Sequence, residues 1–202
     1  MWEYRISWTN RPSWWEPAWT SATRGPGGAC LASESRVDTY WIIGGRDDLG
    51  IKLRGAQTSL EIKIRYERRD GWELWEKVFF QVWTPLESVR CAALLQVEPT
   101  FAADGADPVH GVRRLLAHSG LTWRERAVRK TRLQADAHAL LANVTAPSIV
   151  RNCLAELVEF RVEPNPDPVW SLCFESAAPS PITHDNGASG TIVAGYPELL
   201  AR

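Results

Sequence analysis

The stretch "GIKLRGAQTSLEIKIR", Gly50 to Arg65, decides how this chain folds. In its two runs, "IKLR" and "LEIKIR", charged and aliphatic residues alternate without a break. Successive side chains of a strand point to opposite faces, so each run has one ionic and one apolar face. The ionic faces carry Lys52 and Arg54, then Glu61, Lys63, Arg65 and Glu67. The apolar faces carry Ile51 and Leu53, then Leu60, Ile62, Ile64 and Tyr66.

Outward from this stretch, alternation predicts strands near 2–8, 36–43, 49–55, 59–68, 72–83 and 89–97. "GGRDD" and the Asp-Gly pair of "RRDG" read as tight turns, which makes an antiparallel meander. "VRRLLAHSG" reads as a short helix closed by Gly120, and His118 as a group at the end of that helix. Alternation returns in "WRERAVRKTRLQ", "CLAELVEFRVE" and "VWSLCFES". "DAHALLANVTAPSIVR" reads as a second helical or irregular stretch, and "GPGG" at 25–28 as a turn. "TFAADGADPVHG" and "APSPITHDNGASG" read as loops, the second of them mobile.

The later strands repeat the pattern. Glu73, Lys77 and Gln81 lie opposite Leu74, Val78, Phe80 and Val82. Arg124, Arg126, Lys130 and Arg132 form a row interrupted by Val128. Glu159, Arg161 and Glu163 are placed against Leu154, Val158, Phe160 and Val162, with Glu156 as the rival of Glu159. Glu175 shares a face with Ser171 and Cys173, opposite Trp170, Leu172 and Phe174.

The 202 residues suffice for a single domain, 1–202, with a formal net charge of -1. That charge gives no general bias toward nucleic acid or anionic membranes, so anion recognition must be local. Cys30, Cys91, Cys153 and Cys173 form no zinc-type spacing and read as buried thiols. With no signal-peptide core or bilayer-length apolar run, the expectation is a cytoplasmic protein without membrane or nucleic-acid partners. Its assembly is open to a homodimer. The eleven tryptophans read first as core and rim side chains, with ligand stacking as the alternative for some.

Ionic faces of this kind have two readings. In a sandwich or lipocalin-like barrel they face water, and an aromatic pocket binds a small hydrophobic ligand without chemistry. In a closed barrel they line the lumen while the apolar faces pack outward against helices. Converging guanidinium and ammonium groups would then bind a polyanion, with carboxylates orienting them or holding a divalent metal. A metal-positioned water could attack a terminal phosphoryl group there.

In that second form the chain resembles the CYTH or triphosphate-tunnel proteins, which are built on an antiparallel tunnel of about eight strands. The matching segments are "LGIKLR", "LEIKIR", "VRKTR", "LAELVEF", "WSLCFE" and the closing "GYPELL", in order from about Asp38 onward. The resemblance implies a mainly β (α+β) barrel with flanking helices and a small phosphorylated substrate or ligand. It implies magnesium or manganese as cofactor and, for an active member, triphosphatase-type hydrolysis. Phosphate contacts fall to Lys52, Arg54, Lys63, Arg65, Lys130 and Arg132, metal positions to Glu3, Glu159 and Glu175, and catalytic roles to Glu61, Glu73 and Lys63. The first strand, "WEYRISW", departs from the family's Glu-x-Glu-x-Lys: Glu3 matches, but Arg5 replaces the second Glu and Ser7 the Lys. This exchange weakens metal binding at that point.

Overall fold

The computed structural model describes residues 1–24, 30–55, 59–100, 107–141, 153–165, 167–182 and 191–201. "GPGG", the "FAADGA" half of "TFAADGADPVHG", the end of "DAHALLANVTAPSIVR" and the "THDNGASG" part of the tail lie outside the described residues.

In chain order the elements begin with β1 (Trp2–Trp8), α1 (Trp15–Arg24), β2 (Cys30–Ile43), β3 (Leu49–Arg54), β4 (Leu60–Arg69) and β5 (Trp72–Phe80). Next come α2 (Pro85–Leu95), α3 (Pro108–His118), β6 (Trp123–Asp136), α4 (Ala137–Leu141) and β7 (Leu154–Val162). β8 (Val169–Ser176), β9 (Thr191–Val193) and α5 (Tyr196–Ala201) complete the chain. The strands run in the order β5-β4-β3-β2-β6-β7-β8-β1, and β1 pairs back onto β5 through Trp2↔Leu74 and Glu3↔Glu73. Eight antiparallel strands therefore close into a barrel. The short β9 pairs with β1 beyond that closure, through Ile6↔Val193 to Trp8↔Thr191.

The stretch Gly50–Arg65 supplies two adjacent staves, with Lys52 opposite Glu61 and Gly50 opposite Lys63. Asp70 and Gly71, both at positive φ, make the tight turn between β4 and β5 that the sequence signals.

Apolar side chains sit mainly outside the barrel, under helices. Trp2, Tyr4, Ile6, Trp8, Leu133, Leu157, Leu172 and Phe174 pack with Trp15 and Ala18 of α1 and Leu140 of α4. On the other flank, Leu49, Ile51, Leu60, Ile62, Val78 and Phe80 pack with Cys91 and Leu95 of α2 and Val112 and Leu115 of α3. The early tryptophans thus belong to an outer core, and "SWWEPAW" opens a helix for which alternation gave no sign.

The strand expected at 89–97 is instead part of α2. Thr84 accepts a hydrogen bond from the Glu87 N–H at 3.2 Å, and Pro85 occupies the first turn. This Thr-x-x-Glu start with Pro behind the cap is a helix signal, and Ser88, Cys91, Ala92 and Leu95 bury one helical face. It outweighs the weak local alternation because only the helical spacing puts those four against the barrel wall. A second correction concerns β4, where a bulge between Arg65 and Glu67 shifts the register against β5. The inward row therefore passes from Arg65 to Arg68, opposite Glu73, and Glu67 is exposed.

Candidate functional site

Strand parity sends the ionic faces inward. Glu3, Arg5 and Ser7 of β1, Arg36, Asp38 and Tyr40 of β2, and Lys52 and Arg54 of β3 share the lumen with Glu61, Lys63 and Arg65 of β4. Glu73, Trp75 and Lys77 of β5, Lys130 and Arg132 of β6, Glu156 of β7 and Cys173 of β8 complete it. Their mutual contacts show the arrangement. Lys63 donates to Glu3 at 2.5 Å with Lys77 3.7 Å away. Lys52 and Arg54 share Glu61 at 2.9 and 2.7 Å. Arg65 bridges Glu73 and Asp47 at 2.8 and 2.9 Å. Arg132 and Arg5 converge on Glu156 at 2.8 and 3.3 Å, and Arg5 also donates to Ser171 at 2.9 Å. Lys130 donates to the Tyr40 hydroxyl and lies 3.4 Å from Asp38, which also pairs with Arg36 at 2.7 Å.

These contacts set the protonation states. Burial disfavours the Glu3 carboxylate, but Lys63 and Arg5 outweigh it and hold the pKa down at about 2. Glu156 behaves alike: burial opposes ionisation, while Arg5, Arg132 and Lys130 hold the carboxyl at about 2. Burial pulls Lys52 down to about 8, with Lys63 repulsion adding to it. Lys130 falls well below the usual ammonium range by burial and by repulsion from Lys52. For Glu73 burial prevails over Arg65 and Arg68 and raises the carboxyl.

One end of the lumen is filled from the C-terminal side. Tyr40, Ile42, Val128, Val158, Phe160 and Leu200 form an apolar plug with Tyr196 and Leu199. The Tyr196 ring lies 4.0 Å from the Arg5 guanidinium and 3.9 Å from the Lys130 ammonium, a cation–π contact on both. Gly195 permits the approach: a Cβ there would stand 2.5 Å from a Glu73 carboxylate oxygen. Arg68 donates to the Val193 carbonyl and pairs with Glu198 at 3.3 Å, while Arg124 donates to the Leu200 and Ala201 carbonyls. Beside Tyr196 remains a cavity of about 20 Å³ lined by Glu3, Tyr40, Lys52, Lys63 and Trp75, room for one water. Trp75 also borders an open outer groove with Met1, Tyr66 and Lys77.

The structure thus brings together Lys52, Arg54, Lys63, Arg65, Lys130, Arg132, Glu61, Glu73 and Glu3, and puts Glu175 opposite Glu3 on β8. Glu159 is the exception. It lies on the outer side of β7, paired with Arg161 at 2.9 Å, because Glu156 shares parity with the inward Val158 and Phe160. Sequence reasoning also passed over Arg36, Asp38 and Tyr40, although "RVDTY" has the same alternation. Tyr196 had no such signal, since its position depends on a helix folding back into the barrel.

The one cluster of three or more potential metal ligands among the described residues is Glu3, Cys173 and Glu175, with donor atoms within 4.8 Å of one another. It does not suit magnesium or manganese. Those ions take oxygen donors, whereas Cys173 offers a buried sulfur. Glu3 is already neutralised by Lys63, and the Arg5 guanidinium occupies the next inward position of β1.

No family model matches the chain, and no curated protein does. Among solved structures it is similar to a candidate adenylyl cyclase from Hippeastrum described as having a dominant triphosphatase activity. The identity is 13%, with 88% of this chain and 80% of that one covered at a TM-score of 0.44. A conserved hypothetical protein from Pyrococcus furiosus is 9% identical over 88% of this chain and 81% of that one, at a TM-score of 0.45. A candidate adenylate cyclase from Bacillus halodurans is 11% identical over 87% and 81%, at 0.40. No described helix is long and apolar enough to cross a membrane.

Proposed function

We propose that the lumen binds a small phosphorylated ligand of the triphosphate or organic-phosphate class. The observation that carries this reading is the convergence of Lys52, Arg54, Lys63, Arg65, Lys130 and Arg132 inside one closed barrel. Buried cations are costly unless partnered. Carboxylates partner them here, two cations each to Glu3, Glu61 and Glu156, and a polyanion can replace those contacts with charge-assisted, bidentate ones. The cavity of about 20 Å³ beside Tyr196 holds one water, so a ligand seated at that point would have to displace the Tyr196 ring. The lipocalin-like alternative needs the ionic rows in water and an apolar lumen. Here the rows are internal, and the apolar end of the lumen is occupied by α5.

The test is thermal stabilisation by tripolyphosphate, ATP and thiamine triphosphate, with phosphate release followed in parallel in magnesium or manganese. A ligand at a hundredfold excess over its Kd should stabilise the fold by about 2.7 kcal/mol. No shift with any of the three would reject the reading. Turnover would add a hydrolytic role for Glu61, Glu73 and Lys63. Stabilisation without turnover leaves a binding protein.

A further inference from the structure

We infer that the lumen binds its phosphorylated ligand without a divalent cation, with Arg5 and Lys63 supplying the positive charge on the β1 side of the barrel. This rests on the ligand class proposed above. β1 and β8 face each other in rungs: Glu3 with Glu175, Arg5 with Cys173, and Ser7 with Ser171. The first rung and Cys173 are the one place among the described residues where three potential metal ligands meet. A dication there would compete for Glu3 with the Lys63 ammonium, 2.5 Å from it, and stand near Lys77 and a guanidinium. Two like charges a few ångströms apart in a water-poor lumen repel strongly, so this surrounding selects against a cation.

The same surrounding suits an anion. Arg5 is 5% exposed, and Ser171 and Glu156 orient its guanidinium. Its planar face is covered by the Tyr196 ring, which lies equally close to Lys130 from β6. The electron-rich ring face therefore occupies a place between two cations from separate strands, where a phosphate group would be held more strongly. A guanidinium is charged at every accessible pH and presents a fixed fork of donors to phosphate oxygens. It can neutralise a phosphate without the dehydration that magnesium resists.

The experiment is calorimetric titration of the full chain with tripolyphosphate in EDTA, and again with excess magnesium or manganese. Binding in EDTA is expected, and excess magnesium should weaken it by chelating the ligand. Arg5→Gln should weaken binding in EDTA about tenfold, and Arg5→Lys should recover part of the loss. Glu175→Gln, which removes a negative charge from a half-buried position, should strengthen it. Binding that appears only with metal, or that Glu175→Gln abolishes, would overturn the inference while leaving the ligand class standing. An absence of binding in both buffers would remove the ligand class and this inference together.

Discussion

Glu156 is where the lumen's electrostatics can be tested most directly. It is almost fully buried and neutralises Arg5 and Arg132 together, at 3.3 and 2.8 Å. Its pKa falls from 4.5 to about 2, a shift corresponding to about 3 kcal/mol of preference for the ionised, paired form. Glu156→Gln keeps the shape and removes the charge. Arg132 retains Glu34, but Arg5 is left with neutral contacts, the Ser171 hydroxyl and the Tyr196 ring. Breaking a buried pair on one side costs roughly 3–5 kcal/mol, so a loss of about 3 kcal/mol is expected at pH 7.

Urea unfolding followed by tryptophan fluorescence should show the midpoint falling by about 1.5 M, for a slope of about 2 kcal/mol/M. The pH dependence supplies the sign. A carboxyl with a depressed folded pKa stabilises above its unfolded pKa, and that stability disappears as pH falls from about 4.5 toward 2. The gap between wild type and Glu156→Gln should therefore close over that window. Replacing both partners, Arg5→Met with Glu156→Leu, should recover most of the loss. A pH-independent gap, or one under about 1 kcal/mol at pH 7, would refute the pairing on which this reasoning stands.

Four further outcomes are expected. Lys52, with a pKa near 8, loses its charge between pH 7 and 9, so tripolyphosphate affinity should fall over that range in calorimetry and stay flat in Lys52→Arg. Because its folded pKa lies below the usual 10.5, the same group adds stability as pH rises above 8, which urea midpoints would register. The Tyr196 hydroxyl is buried without a hydrogen-bond partner among the described residues. Tyr196→Phe should thus be neutral or stabilising by up to about 1 kcal/mol in chemical unfolding, and a clear destabilisation would reveal a partner. Thr84→Ala removes the α2 cap and should cost about 1 kcal/mol in the same assay; an unchanged midpoint would mean the cap is dispensable.

The alternation in Gly50–Arg65 made much of the barrel legible. A strand with one face wholly ionic and one wholly aliphatic must separate two environments, and the sequence repeats that demand on strand after strand. Most of the gathered charges could be named for the same reason, since parity is a property of the strand itself. The failures mark where parity ceases to hold or to decide. The bulge after Arg65 turned Glu67 outward. In β7 the inward row runs through Glu156, Val158 and Phe160, which mixes a carboxylate with apolar residues because α5 packs against that end of the lumen. In α2, a cap and a helical spacing were hidden beneath a short alternation.

The sequence by itself thus determined that ionic and apolar faces would be separated, and which side chains travel together on each strand. Which face lies inside was left to the tertiary structure. An isolated strand has no inside, and only the pairing of β1 with β5 encloses the charges and exposes the aliphatic faces to the helices. The same holds for the interior charge balance. Glu3 meets Lys63, Arg5 meets Glu156, and Tyr196 covers Arg5 and Lys130 across separations in sequence that no local pattern records. These meetings depend on barrel closure and on a C-terminal helix returning to the lumen, so contact geometry rather than periodicity decides them.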